Sequence, residues 1–310
     1  MNKVKSEHYV PQFYLKRFSK NGDGRIDVYD KTNDKELLNQ SSENFACERY
    51  YYDVNNNQLK ENLDLLFDIS KGQYSEEEIK KIKDNDQLIE NMFARMEAEL
   101  SGEFQRLEKD FNVINEPMFR VKFHIFIRDL AIRTDAYRNQ IQMITEKTME
   151  TAKKLGAKEV DGYDINMDSK EIAKLKQLDL LTSLPELVRD GNRFLNNYNF
   201  YIGINNTNMS FIISDHPSIN VFLGFNDICF PISPTLAIIM RVNVDGAKFI
   251  LKDEPNRDGI IELSEQSVLA YNCFQFVQAR RFVFGDMNVI KRIALGSKLS
   301  ELLRELKQNK

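Results

Sequence analysis

The chain has 310 residues, of which 42% are hydrophobic and 29% are charged, so it can bury a sizeable core in one large domain or in two closely joined ones. Its formal net charge of −4 provides no global basic field to attract nucleic acid or anionic lipid. Only a local basic groove is left for such a partner.

The N-terminal part of the sequence predicts a small β-element within residues 1–57. Pro11 can begin a short helix that runs to Phe18, because proline is tolerated in the first helical turn. Residues 21–24 include two glycines and end this helix. Residues 25–31 alternate as a strand does, and residues 45–53, with three consecutive tyrosines, are a second predicted strand.

A helical block is predicted over residues 58–196. Its helices cover residues 59–70, residues 76–110 and residues 117 to about 154. Residues 155–169 contain glycines and acidic residues and are predicted to form a loop, after which helix returns over residues 170–196.

Most of the predicted sheet lies in residues 197–310. Strand-like runs occupy residues 199–205, 209–214, 219–223 and 235–242, and predicted helices follow at 262–284 and 289–308. Strands grouped apart from helices favour an α+β fold. We expect a long central helical hairpin with further helices, packed with an antiparallel or mixed sheet built mainly from residues 199–243 and with the N-terminal β-element. Residues 1–310 are expected to form a single large α+β domain, which the three parts above would subdivide.

The predicted helix at residues 117–154 carries an arginine in its apolar stripe. Arg133 shares one face with residues that recur at three- and four-residue intervals, namely Phe119, Phe123, Phe126 and Leu130. If residues 112–116 turn the chain back, this helix pairs with the preceding one and Arg133 faces Glu97. Arg133 then either forms a buried ion pair with Glu97 or Asp129, or binds a ligand phosphate or carboxylate. The anion-binding interpretation is the working hypothesis for function.

Two histidines lie in settings that suit chemistry. His8 precedes Pro11 among aromatic residues, where an imidazole can act as a base, a ligand or a hydrogen-bonded anchor. His216 follows Asp215 at the end of a predicted strand, and Pro217 disfavours a helical backbone there. Loops at strand ends often hold catalytic groups, but the same residues also form capped turns.

The run HYVPQFYLKRFS, from His8 to Ser19, resembles the opening of a bacterial family filed as domain of unknown function 4238 (DUF4238). The resemblance extends to Arg133, Thr134 and Arg138, to residues 214–217 and to residues 231–234. The chain has Asp135 and His216 where the family usually has Pro and often has Asn. The resemblance implies a bacterial protein found among phage-defence genes, with no reaction assigned.

Several enzyme classes lack their motifs in this sequence. It has no Gly-rich phosphate loop, no His-Glu-x-x-His, no Cys-x-x-Cys and no Gly-x-Ser-x-Gly, which argues against a P-loop NTPase, a Rossmann oxidoreductase, a zincin or an ordinary α/β-hydrolase. Three scattered cysteines, the absence of an apolar leader at the start and the absence of an apolar run of ~20 residues predict a cytoplasmic protein with free thiols and no membrane contact.

Two functions from different classes remain. The leading hypothesis is a phage-defence effector with a hydrolytic or phosphate-handling site that acts on RNA or a nucleotide. Its catalytic residues would be His8, Asp215 and His216, its substrate-binding residues Arg133, Arg138 and Glu97, and a divalent metal is left open at Asp215. The second is a non-catalytic sensor or interaction protein in which the same polar residues hold the fold or bind a ligand. The partners left open are an RNA or nucleotide, a phage protein as trigger and a second copy of the chain.

Overall fold

The computed structural model describes residues 6–49, 51–52, 75, 77, 88–183, 191, 196–217 and 226–308. The predicted helix at residues 59–70 and the predicted strand at residues 219–223 lie outside the described residues. The architecture is α+β, as predicted.

Seven helices lie in the described part: α1 (Gln12–Lys16), α2 (Leu88–Lys109), α3 (Pro117–Ile132), α4 (Asp135–Lys154), α5 (Ser169–Thr182), α6 (Glu265–Gln278) and α7 (Met287–Gln308). A short 3₁₀ helix, Phe111–Asn115, joins α2 to α3. Ion pairs between Glu97 and Arg133, and between Glu103 and Lys122, show that α2 and α3 form the predicted antiparallel hairpin. None of the helices in the described part is long and apolar enough to cross a membrane.

The prediction of one helix over residues 117–154 is wrong, because the chain breaks between α3 and α4. Arg133 keeps near-helical backbone angles as the last cap of α3, whereas Thr134 is extended, with ψ of 150°. The Thr134 side chain accepts a hydrogen bond from the amide of Tyr137, which makes it the N-cap of a new helix. Asp135 follows in the first turn, where a negative charge suits the helix dipole.

The strands of the described part are β1 (Ser6–His8), β2 (Arg25–Asp30), β3 (Lys35–Ser41), β4 (Cys47–Arg49), β5 (Glu159–Val160), β6 (Tyr163–Asp164), β7 (Tyr198–Ile204), β8 (Ile213–Ser214), β9 (Asp227–Pro231), β10 (Leu236–Val242), β11 (Ile260–Glu262) and β12 (Phe282–Phe284). They form two four-stranded sheets and the two-stranded pairs β1–β4 and β5–β6. The first four-stranded sheet has the order β11-β7-β10-β9, with β11 parallel to β7 and the other pairs antiparallel. The second has the order β3-β2-β12-β8 and is antiparallel.

Several predicted boundaries are corrected. Residues 262–284 are not one helix, because α6 ends at Gln278 and β12 then joins the N-terminal sheet. The Lys31 ammonium caps the C-terminal end of α6, where it donates to the carbonyls of Phe276 at 2.6 Å and Ala279 at 2.7 Å. Of the strands predicted at 45–53 and 209–214, the described residues form only β4 and β8. Residues 155–169 contain the small hairpin β5–β6 rather than loop alone.

A single large cluster of buried apolar side chains joins α1, the α2–α3 hairpin, both four-stranded sheets, α6 and α7. Phe126 lies inside it with 1% of its surface exposed, and it packs against four other aromatic rings: Phe13, Tyr14, Phe104 and Phe230. The predicted apolar stripe is therefore core as far as the break. Beyond it, Ile144 is 60% exposed, because the break ends the register of the stripe.

The N-terminal segment, residues 8–18, is fastened to the sheet. The Tyr14 hydroxyl donates to the carbonyl of Pro231 at 2.8 Å, and its ring stacks on Phe230 with 5.1 Å between centroids. Arg17 Nε donates to the carbonyl of Ile232 at 2.6 Å. Two segments that the family resemblance singled out, far apart in sequence, are thus in direct contact.

Candidate functional site

The polar residues predicted from the sequence gather around the break between α3 and α4, which we call the helix junction (Arg133 and Thr134). The junction is buried, with Arg133 2% and Thr134 0% exposed. His8 reaches it from β1, Glu97 from α2 and His216 from the end of β8.

Arg133 binds three separate segments of the chain. Its Nη1 donates to Glu97 Oε1 at 2.8 Å, its Nε donates to the Tyr52 hydroxyl at 3.1 Å, and its Nη2 donates to the carbonyl of His8. The guanidinium carbon lies 4.3 Å from the centre of the Phe93 ring. Burial would lower the pKa of Arg133, but Tyr52 and Glu97 outweigh it and raise the pKa, so the arginine stays charged. The predicted pairing of Arg133 with Glu97 is confirmed.

His8 is half-buried, and both its ring and its backbone are engaged. Its Nε2 donates to the carbonyl of Glu43 at 3.1 Å, while its carbonyl accepts from Arg133. Burial lowers the pKa of His8, the hydrogen bond to Glu43 opposes this, and the charge of Arg133 adds to the lowering. These contacts fix β1 against the helix junction.

The Asp215 carboxylate accepts three backbone hydrogen bonds. The amide of Arg280 donates to Oδ1 at 2.9 Å, and the amides of Arg281 and Phe282 donate to Oδ2 at 2.8 and 2.9 Å. Burial raises the pKa of Asp215, and the three amides oppose that rise. Asp215 is only 5% exposed, so its carboxylate closes the turn between α6 and β12.

His216 is held to the junction by one ring nitrogen. Its Nδ1 lies 2.8 Å from Thr134 Oγ1, whose proton goes to the carbonyl of Ala131 at 3.0 Å. Because a hydroxyl has one proton, Nδ1 donates in this arrangement and Nε2 is the basic nitrogen. Burial lowers the pKa of His216 to about 4, so the imidazole is neutral at pH 7.

Arg138 lies one helical turn into α4 and contacts Tyr51, the neighbour of the Tyr52 that Arg133 binds. Its Nε donates to Gln177 Oε1 at 2.6 Å and its Nη2 donates to the carbonyl of Tyr51 at 3.0 Å. The guanidinium carbon lies 3.5 Å from the centre of the Tyr51 ring, and that ring meets Tyr52 edge-on at 4.9 Å. Arg133 and Arg138 therefore contact neighbouring tyrosines rather than each other.

Two acidic residues near the junction were missed from the sequence. Glu7 is fully buried and accepts the amide of Tyr52 at 2.7 Å. Glu90 lies two helical turns before Glu97 on the same face of α2, and burial raises its pKa to about 7, with Arg133 opposing the rise. The spacing of Glu90, Phe93 and Glu97 is the sequence signal that could have found this face.

The predicted residues therefore meet to different degrees. His8, Glu97 and Arg133 are in direct contact, and His216 joins them through Thr134. Asp215 and Arg138 bind other chain segments around the same junction. Within the residues that the structure describes, no three His, Cys, Asp or Glu side chains are arranged to hold a metal ion. All three cysteines are free thiols.

A family model with the description "Protein of unknown function (DUF4238)" matches residues 7–288 of the chain. No curated protein and no solved structure matches it. The matched span contains the helix junction and every segment that packs around it.

Proposed function

The chain belongs to the DUF4238 family, and we propose for it the role of a non-catalytic sensor or interaction protein in bacterial phage defence, working in the cytoplasm with a phage protein as trigger. In this proposal the helix junction is the structural tie that holds the N-terminal segment against the helical hairpin. The defence setting comes from the family resemblance.

One observation carries the choice of a non-catalytic role: the groups best suited to chemistry are already engaged inside the protein. Each of the three nitrogens of the Arg133 guanidinium donates to the chain's own atoms, and both oxygens of Asp215 accept backbone amides. A catalytic acid, base or phosphate ligand has to be within hydrogen-bond reach of its substrate. Arg133 and Asp215, at 2% and 5% exposure, do not offer that reach.

The proposal is tested by expressing the wild type, His8→Gln and His216→Gln in bacteria with and without phage. Both substitutions put a neutral amide in place of an imidazole, so they add no charge to the buried junction, and both variants are expected to remain soluble. We expect them to retain the wild-type effect on phage plaque formation and on host growth, with host RNA intact throughout. Arg106→Gln, on the exposed side of α2, serves as a matched surface control.

Loss of the phage phenotype in soluble, folded His216→Gln, together with RNA or nucleotide breakdown by the wild type, would overturn the non-catalytic role. Soluble yield and a circular dichroism spectrum of each variant separate this outcome from misfolding.

A second candidate is a hydrolytic enzyme that uses His216 as its base on a phosphate-bearing substrate. It is favoured by the tautomer of His216, because Nδ1 is fixed by Thr134 while Nε2 makes no hydrogen bond within the described residues. Arg280, 49% exposed at its side chain, pairs with Asp135 at the same end of α4 and could bind a phosphate. Purified wild type turning over RNA or a nucleotide, with a loss of at least about 100-fold in His216→Gln, would establish this alternative.

A further inference from the structure

Three carboxyl groups and one guanidinium share the interior beside the helix junction. Helix α2 contributes Glu90 and Glu97, β1 contributes Glu7, and the junction contributes Arg133. Among the described groups that act on Glu90, Arg133 is the only cation. The acids outnumber it three to one when all are ionised.

Glu97 and Glu90 occupy this interior differently. Glu97 is bound directly to Arg133 through Oε1 at 2.8 Å. Glu90 Oε2 is enclosed and accepts no hydrogen bond from the described residues. An enclosed carboxylate oxygen without a hydrogen bond disfavours the ionised form, whereas a protonated carboxyl is less costly to enclose. The geometry therefore favours a proton on Glu90 in the closed structure.

The neighbours of Glu90 act in opposite directions. Glu7, from β1, and Glu97, two turns further along α2, repel a negative charge on Glu90, and Arg133 attracts it. Tyr52 stays protonated beside Arg133, since burial raises its pKa, so it adds no charge at neutral pH. Desolvation and two like charges outweigh one guanidinium that is already shared with Glu97.

We propose that Glu90 is a proton-controlled latch, which in its protonated form seats the N-terminal end of α2 on the helix junction and β1, and which on ionisation releases that end. Because α2 and β1 both contact Arg133, release exposes the junction. Proton binding and closure are then one equilibrium.

The direction of the pH dependence follows from the same coupling. In the released state Glu90 has an ordinary pKa near 4.5, while in the closed state burial raises it to about 7. The closed state therefore binds the proton more tightly, and closure weakens as pH rises between these two values. The opening constant should rise by up to about tenfold per pH unit between about pH 5 and 7 and should level off above it.

The latch is tested on the purified full chain without phage, so its outcome is independent of the proposed interaction role. Hydrogen–deuterium exchange, corrected for the intrinsic pH dependence of amide exchange, is followed by mass spectrometry in peptides that cover residues 88–100 and 6–10. We expect protection of the wild type to fall from pH 5 to 7, while Glu90→Gln keeps its protection. Glu99→Gln, an exposed position on the same helix, should behave as the wild type.

A titration of the Glu side-chain carboxyl carbons by NMR, assigned with Glu90→Gln, measures the proton directly. A Glu90 midpoint near 7 supports the latch, and one near 4.5 overturns it. Wild-type protection that is constant from pH 5 to 7 also overturns it, whether or not Glu90→Gln folds.

Discussion

Replacing Arg133 by alanine tests most directly what the helix junction does. The change leaves Glu97, with only 18% of its side chain exposed, without its partner, and leaves the His8 carbonyl and the Tyr52 hydroxyl without a donor. Breaking one side of a buried ion pair costs about 3–5 kcal/mol in free energy of unfolding. The partial exposure of Glu97 places the expected loss nearer about 3 kcal/mol.

The loss is measured by urea unfolding at pH 7, followed by circular dichroism. Arg106→Ala is the matched control, because Arg106 also pairs with glutamates but is 51% exposed, and exposed pairs contribute about 0–1 kcal/mol. Removing both charges, with Arg133→Met and Glu97→Gln together, should recover at least half of the lost stability and should leave the phage phenotype intact.

Two results would refute this reasoning. Arg133→Ala could lose no more stability than Arg106→Ala, in which case the buried pair is not a structural tie. The double variant could be thermally stable yet inactive, with Arg133→Lys impaired as well, in which case Arg133 binds a ligand anion through its bidentate fork.

Three further predictions concern the core, the α6–β12 turn and pH. Phe126→Ala should lower the free energy of unfolding by about 3–5 kcal/mol in the same urea assay, whereas Met118→Ala, at a 63% exposed position, should have almost no effect. A loss below about 1 kcal/mol for Phe126→Ala would contradict the enclosure of the Phe126 ring. Asp215→Ala leaves three backbone amides without an acceptor and should lower the free energy of unfolding by about 3 kcal/mol or more. Asp245→Ala, at an exposed position, should change the free energy of unfolding little, and equal effects of the two variants would argue against the turn-closing role of Asp215. Burial lowers the pKa of His216 to about 4, so the folded state resists protonation of this residue. Its contribution to the free energy of unfolding is therefore intact above pH 6.5 and falls by about 2–3 kcal/mol towards pH 4. His216→Gln should remove this acid sensitivity, and a pH profile of stability unchanged from the wild type would disprove it.

The two pH effects oppose each other. Acidification stabilises the closed state through Glu90 and destabilises it through His216 over overlapping ranges. The stability of the wild type alone can therefore look insensitive to pH between about 4.5 and 6.5. Only the single variants Glu90→Gln and His216→Gln separate the two contributions.

Elements with strong periodicity could be predicted from the sequence. The apolar spacing of Phe119, Phe123 and Phe126 gave the hairpin, and counting residues around its turn placed Arg133 opposite Glu97. Both inferences depend on a local repeat of apolar residues, which the burial of one helix face enforces.

Features that depend on tertiary contacts were missed. The break after Arg133 follows from a single capping threonine, which the continuous apolar pattern around it concealed. Strand β12 exists because β2 and β8 pair with it and Asp215 holds its turn, and all three lie far away in sequence. The edge strand β3 is polar and largely exposed, so it has no apolar alternation to detect.

The same limit applies to the candidate site. His8, Arg133, Asp215 and His216 could be picked out as unusual polar residues, but their partners could not. Whether a guanidinium or a carboxylate faces solvent or the chain's own amides is decided by the fold, and this property is the one that supports the proposed non-catalytic role.

The fastening of Tyr14 to Pro231 has a consequence for synthesis of the chain. The two residues are 217 positions apart, so at about 5–20 residues per second the ribosome needs roughly 10–40 s to supply the partner after the tyrosine has been made. During this interval Tyr14 lacks the Phe230 ring and the Pro231 carbonyl, although Tyr14, Leu15 and Phe18 are all buried in the finished protein. The N-terminal segment is made early but completes its folding late, so its apolar side chains are open to chaperone binding during synthesis.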